Sequence, residues 1–143
     1  MCCDLLANMN QNFIHMDYYF SKKLDISFDE AIELTTETLS SEGFGVLTEI
    51  DIKGTLKKKI NVDTNKYHIL GACNPPSAYE AIQNEPHIGL MLPCNVIVRE
   101  DDDGGVEVAA IDPVASMQAV ENPGLCNVAK DVRNRLKKVI DNL

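Results

Sequence analysis

Tryptophan and an excess of positive charge are both missing from this sequence. The chain has 13 Lys and Arg against 22 Asp and Glu, which gives a formal net charge of −9. General nucleic-acid binders need a basic face that displaces counterions, so this balance predicts no nucleic-acid partner. No apolar run approaches the roughly 20 residues that a membrane span needs, which predicts no membrane partner.

Cysteine motifs of the usual kinds are missing as well. The chain has five cysteines but no C-x-x-C pair and no zinc-ribbon spacing. The first ten residues, "MCCDLLANMN", have no basic segment and only a short apolar run, so they do not resemble a secretory signal. These features predict a cytoplasmic location, where thiols are kept reduced. With no glycine-rich phosphate loop either, the sequence identifies no cofactor and no catalytic residue.

The remaining patterns predict a single α+β domain over residues 16–143, after a poorly defined extension over 1–15. Ser27 and Glu30 fit a capping box at the start of a helix, and Gly43 is its natural end. We expect about five strands in a mixed or antiparallel sheet, with helices packed on one face. The expected strands are residues 16–26, 46–52, 67–73, 90–100 and 106–111. The expected helices begin at residues 27, 54, 75, 112 and 124, and the last has an apolar stripe of Leu125, Val128, Ala129, Val132, Leu136, Val139 and Ile140.

Two short stretches, "GACNPP" at 71–76 and "LPCN" at 92–95, each place a cysteine beside an asparagine and a proline. Their candidate ligand-binding residues are Cys73, Asn74, Cys94 and Asn95. A strand–helix–strand connection tends to place its strands side by side, so we expect the two thiols to face one small volume. Because Cys73 precedes a helix start and Cys94 lies in an apolar strand, we expect Cys73 to be the more reactive thiol.

Four interpretations of these two turns stay open. The cysteines are buried packing residues, since free cysteine is among the most buried residue types. Alternatively, Cys73 or Cys94 serves a thiol-dependent enzyme or redox sensor, with His68 or His87 as a base. As a third alternative, Cys73 and Cys94 bind a soft metal, zinc or copper, for which Cys126 and the two histidines are the other candidate ligands. Among the three functional interpretations we favour the fourth, a non-catalytic ligand-binding or interaction module with an unidentified small-molecule ligand, because no acid–base pair or triad is recognisable.

The stretch "ILGACNPPSAYEAIQNEPHIGLMLPCNVIVRE" resembles the signature block of the domain of unknown function 302 family. The flanking stretches "SFDEAIELTTETLSSEGFGVLTEIDI" and "IDPVASM" resemble that family's first helix and second strand and its Asp-Pro-x-x-x-Met element. The resemblance covers roughly residues 16 to 143 and rests on the two cysteine turns together. It implies a small α+β fold that is often dimeric, so we expect a homodimer. It implies no activity.

Overall fold

Five strands form one antiparallel sheet in the computed structural model, which describes residues 17–143. The strands are β1 (Tyr19–Leu24), β2 (Gly45–Asp51), β3 (Tyr67–Cys73), β4 (Cys94–Glu100) and β5 (Val106–Ile111). Their spatial order is β1-β5-β4-β3-β2, and every neighbouring pair is antiparallel. The α+β prediction is confirmed, and of its two alternatives the antiparallel sheet is the right one. The extension predicted over 1–15 lies outside the described residues.

Five α-helices and two 3₁₀ turns join the strands in this part of the chain. They are α1 (Phe28–Ser41), α2 (Ile52–Ile60), α3 (Pro75–Asn84), the turn Pro86–Met91, α4 (Pro113–Ser116), the turn Pro123–Leu125 and α5 (Cys126–Asp141). The capping box of α1 is present, because Ser27 Oγ accepts the Glu30 N–H and Glu30 Oε2 accepts the Ser27 N–H. Within residues 17–143, none of the helices has the length and apolar character needed to cross a bilayer.

The hydrophobic core lies between one face of the sheet and helices α1 and α5. α1 contacts β4 and β5, and α5 contacts β1 and β5. The inner face of the sheet supplies buried aliphatic side chains, including Leu70, Val96, Val98, Val108 and Ala110. All seven residues of the apolar stripe predicted for the last helix are buried. In the part of the chain that the structure describes, α1 and α5 pack on this face, and we call the opposite face of the sheet, which carries Asn95 and Ile97, the open face.

The sequence expectations fail near Pro93 and on the outer side of α3. The strand predicted over residues 90–100 begins at Cys94, because the preceding residues form a 3₁₀ turn and Pro93 has no N–H for the sheet. β4 is the central strand, so Pro93 marks a strand start and not a sheet edge. The spacing of Ala78, Ala81 and Ile82 predicts the inner face of α3, but Ile82 is 44% exposed; Ala81 is the residue of that helix that enters the core.

Candidate functional site

The two cysteine turns meet at one end of the central strand pair. Cys73 is the last residue of β3 and Cys94 is the first residue of β4. The antiparallel register pairs Ala72 directly with Cys94, so Cys73, the next residue of β3, lies beside Cys94 where the two strands meet the turns. Both line one cavity, which is the small shared volume expected from the sequence.

This cavity, which we call the thiol cavity, lies among the ends of β3 and β4 and the helices α3, α4 and α5. Its volume is about 30 Å³ and its surface is almost entirely apolar. Pockets for drug-sized ligands have volumes of roughly 300–1,000 Å³, and one water needs only about 10–15 Å³. The space therefore suits a guest of atomic size. The lining residues are Phe44, Ala72, Cys73, Asn74, Ser77, Ala78, Ala81, Leu92, Pro93, Cys94, Pro113, Met117, Val128, Ala129 and Val132.

The two thiols differ in their exposure to solvent. Cys94 is buried, with 7% of its surface exposed, and Cys73 is half-buried. Burial, with a smaller contribution from the neighbouring Cys73, raises the pKa of Cys94 from its ordinary 9.0 to about 11. Cys94 is consequently a protonated thiol at neutral pH. Cys73 is the thiol that a reagent in solution reaches first.

Asn74 connects the thiol cavity to the end of α1. Its side-chain oxygen accepts the Ser77 N–H at 3.1 Å and so caps α3. Its Nδ2 donates to the Gly43 carbonyl at 3.0 Å. Gly43 has a φ of 84°, and a Cβ there would lie 2.8 Å from that same Nδ2. The Asn74 amide is thus engaged in holding two helix ends together.

Gly71 and Pro93 lie against each other, and this contact sets the distance between the two cysteine turns. A Cβ on Gly71 would overlap the Thr48 hydroxyl and would lie 2.7 Å from Pro93 Cγ. Pro93 follows a cis peptide bond and leads directly into Cys94. Asn95 pairs with Gly71 and lies in the groove on the open face of the sheet. The structure therefore brings Cys73, Asn74 and Cys94 together and separates Asn95 from them.

The candidate bases lie away from the thiols. His68 is five residues from Cys73 along β3, which corresponds to roughly 17 Å. Its Nδ1 is 2.8 Å from Glu49 Oε1, and its ring meets the Phe28 ring edge-on. The His87 side chain is 88% exposed and lies outside the cavity. Among the described residues, therefore, neither histidine can activate Cys73 or Cys94.

The other candidate metal ligands do not join the two thiols. Cys126 is disulfide-bonded, so the expectation that the cysteines are reduced is wrong at this position. Cys73 and Cys94 are the free thiols of the described chain. Nowhere in residues 17–143 do three or more His, Cys, Asp or Glu side chains cluster where they could hold a metal ion. A site built from these residue types alone would have two ligands.

Sequence reasoning missed the contribution of the Asp-Pro-x-x-x-Met element as a wall of the thiol cavity. Asp112 caps α4, because its Oδ1 accepts the Val114 N–H at 2.9 Å, and its Oδ2 accepts from Arg133 Nε at 3.1 Å. These bonds fix α4 against α5. Met117, which follows α4, is thereby held at the cavity, where it is 91% buried. The sequence feature that could have pointed to this wall is the Asp112-Pro113 pair, which is typical of a capped helix start.

Comparisons with known proteins support the fold. The model of the family "Domain of unknown function DUF302" matches residues 20–143. A solved structure, titled "Crystal structure of uncharacterized conserved protein DUF302 from Bacillus stearothermophilus", is 26% identical in sequence with a TM-score of 0.82. The similarity covers 88% of this chain and 98% of that one. No match was found among curated proteins.

Proposed function

The chain belongs to the family of domains of unknown function DUF302, and from the geometry of its thiol cavity we propose that it is a non-catalytic binding module for a guest of atomic size. The observation that carries the proposal is the composition of the lining. Within residues 17–143, Cys73 and Cys94 are the only ionisable side chains at a cavity that is otherwise apolar apart from Asn74 and Ser77.

The environment of the thiols argues against catalysis. A cysteine nucleophile works as the thiolate and needs a neighbouring base or cation. No histidine, carboxylate, lysine or arginine is among the described residues that line the cavity. Cys94, the more deeply buried thiol, is protonated at neutral pH because burial raises its pKa to about 11. For Cys94 the redox-sensor alternative also loses support, since sensor cysteines are low-pKa and accessible.

The size of the thiol cavity limits the guest. A volume of about 30 Å³ has no room for a nucleotide or an organic cofactor. A small guest reaches it past the half-buried Cys73. Its apolar walls hold a water molecule poorly, because a buried water needs two to four polar partners. An apolar or soft guest therefore fits the lining better than water or a hard anion.

Xenon is a suitable probe, because it enters apolar protein cavities. We expect methyl NMR signals of Val128 and Val132 to shift with xenon pressure, and the Val106 signal to stay in place. Ala78→Leu should fill the cavity and abolish the shifts. Glu80→Leu, on the exposed side of the same helix, is the matched control and should keep them. Unchanged lining signals in the parent protein would contradict the proposal.

We also propose that the chain forms a homodimer through the open face of the sheet. The cross-strand register places Ile97 beside Ile69 on one side and Ala109 on the other, so an apolar row crosses this face. Tyr19 and Tyr67 extend it. Aromatic and aliphatic side chains of this kind are enriched at protein–protein interfaces.

Local charge supports a second copy as the occupant of this face. Although the chain carries a formal charge of −9, the charges beside the apolar row are paired. Arg99 contacts Glu107 at 2.8 Å and Asp101 at 3.0 Å, and Lys23 contacts Asp101 at 3.2 Å. Two copies can therefore approach through this face without the repulsion that the net charge produces elsewhere.

Light scattering at micromolar concentration tests the dimer. We expect twice the 15.8 kDa monomer mass for the parent and the monomer mass for Ile97→Lys. Leu90→Lys is the matched control, because Leu90 is an exposed apolar residue outside the open face and its replacement should leave the dimer intact. A monomeric parent would overturn the proposal.

The cytoplasmic location stays a prediction.

A further inference from the structure

Three sulfur-bearing side chains line the thiol cavity. Cys73 comes from the end of β3, Cys94 from the start of β4, and Met117 from the turn after α4. The two other polar side chains in the lining are Asn74, whose amide already holds two helix ends, and Ser77. The ligand atoms that this cavity offers to a guest are therefore dominated by sulfur.

Sulfur ligands of this kind select particular metals. Thiolates and thioethers are soft donors that favour monovalent copper, whereas divalent copper prefers nitrogen and oxygen. Structural zinc is almost always four-coordinate, and methionine is not among its usual ligands. The described residues offer no cluster of three His, Cys, Asp or Glu side chains that would satisfy zinc. Two thiols and one thioether match the small coordination number and the softness of Cu(I).

We propose that Cys73, Cys94 and Met117 form a three-sulfur site for one monovalent copper ion. The inference rests on the proposed binding function, because the copper ion is the guest of atomic size. The Cys73 and Cys94 thiols lose their protons to solvent as the two sulfur–copper bonds form, and copper remains monovalent, so no electron is transferred. The thioether of Met117 adds a neutral ligand. With both thiolates bound, the cluster carries one net negative charge, against two for a metal-free dithiolate.

The thiol cavity has the volume and the access that such an ion needs. Its volume of about 30 Å³ admits one ion without opening the core. Cys73 is half-buried and provides the entry path, while Cys94 and Met117 form the inner wall. The apolar surroundings keep water away from the metal, which limits oxidation to the divalent ion and loss to solvent ligands.

Anaerobic titration with Cu(I) against a chromogenic Cu(I) chelator tests the site in the full-length chain. We expect one Cu(I) per chain and an X-ray absorption spectrum fitted by sulfur neighbours alone. Cys73→Ser and Cys94→Ser should each weaken binding at least about a hundredfold, beyond the 10–100-fold that changes outside the ligand shell cause. Met117→Leu should weaken it about tenfold, which corresponds to about 1.4 kcal/mol.

Met91→Leu is the matched control, because Met91 is exposed and outside the thiol cavity. It should bind copper as the parent does. Met117→Leu nearly conserves volume, and its thermal melt and xenon shifts show whether fold and cavity persist. Copper binding that survives both cysteine substitutions, or that is equally tight in Met117→Leu, overturns the three-sulfur site. If the protein takes up xenon but does not bind copper, the copper site is wrong and the proposed binding function stands. If it takes up neither xenon nor copper, the proposed binding function is wrong as well.

Discussion

Burial of Cys94 makes the stability of the metal-free protein depend on alkaline pH. The pKa of this thiol rises from 9.0 to about 11 on folding, mainly through desolvation and secondarily through Cys73. The folded state therefore holds the proton more tightly than the unfolded state. Below pH 9 both states are protonated and the full stability is present. Between pH 9 and 11 only the unfolded state loses the proton, so stability falls.

The size of this effect follows from the shift of about two pKa units. Each unit is worth about 1.4 kcal/mol, so the contribution is about 3 kcal/mol, lost progressively as the pH rises from 9 to 11. Urea denaturation at several pH values measures the free energy of unfolding. Because lysines and tyrosines also titrate in this range, the informative quantity is the difference between the parent and Cys94→Ala. That difference should shrink by about 3 kcal/mol over the window.

Val96→Ala is the matched control, because it truncates a buried side chain of the same strand that cannot ionise. Its stability difference from the parent should stay constant with pH. If the Cys94→Ala difference is also constant from pH 8 to 11, Cys94 is not a buried protonated thiol and the account of the cavity is wrong.

Three further predictions concern stability in urea denaturation. Leu136→Asp should lower the free energy of unfolding by several kcal/mol, because it buries an unpaired charge. Asn134→Asp, on the exposed side of α5, should change it by less than about 0.5 kcal/mol. Equal effects of the two substitutions would show that Leu136 does not lie on a buried face of the helix. Gly71→Ala should lower the free energy of unfolding by about 1–3 kcal/mol, because a Cβ at this position overlaps two side chains. Gly45→Ala should be nearly neutral, because the space around Gly45 is open. Asn74→Ala should cost about 1–2 kcal/mol through loss of the α3 cap, and an unchanged midpoint would contradict that role.

Local patterns predicted most of the fold. The limits of β3 and β5 and the α1 capping box follow from alternation of apolar residues and from side-chain hydrogen bonding, which depend on near neighbours in sequence. The start of β4 was placed four residues too early, because Leu90 and Met91 are as apolar as a strand. They form a 3₁₀ turn instead, which depends on the constraint that Pro86 and Pro93 impose.

The candidate site was predictable only in part. The repeated Cys-Asn pairs led to Cys73, Asn74 and Cys94, whose proximity follows from the pairing of β3 with β4. Asn95 shares the motif but faces the side of the sheet opposite to Cys94, because successive strand residues alternate between faces. Met117 could not be assigned from the sequence, since its place in the cavity wall depends on the bond between Asp112 and Arg133, 21 residues apart.

A crystal structure of the metal-free protein, with Cys73 and Cys94 as free thiols, under xenon pressure tests the central claim most directly. The account predicts one xenon atom in the thiol cavity, in van der Waals contact with Cys94 and Met117 and with Cys73 at the mouth. A cavity that stays empty of xenon while xenon occupies other sites, or a structure in which Cys73 and Cys94 do not border one common space, would contradict it.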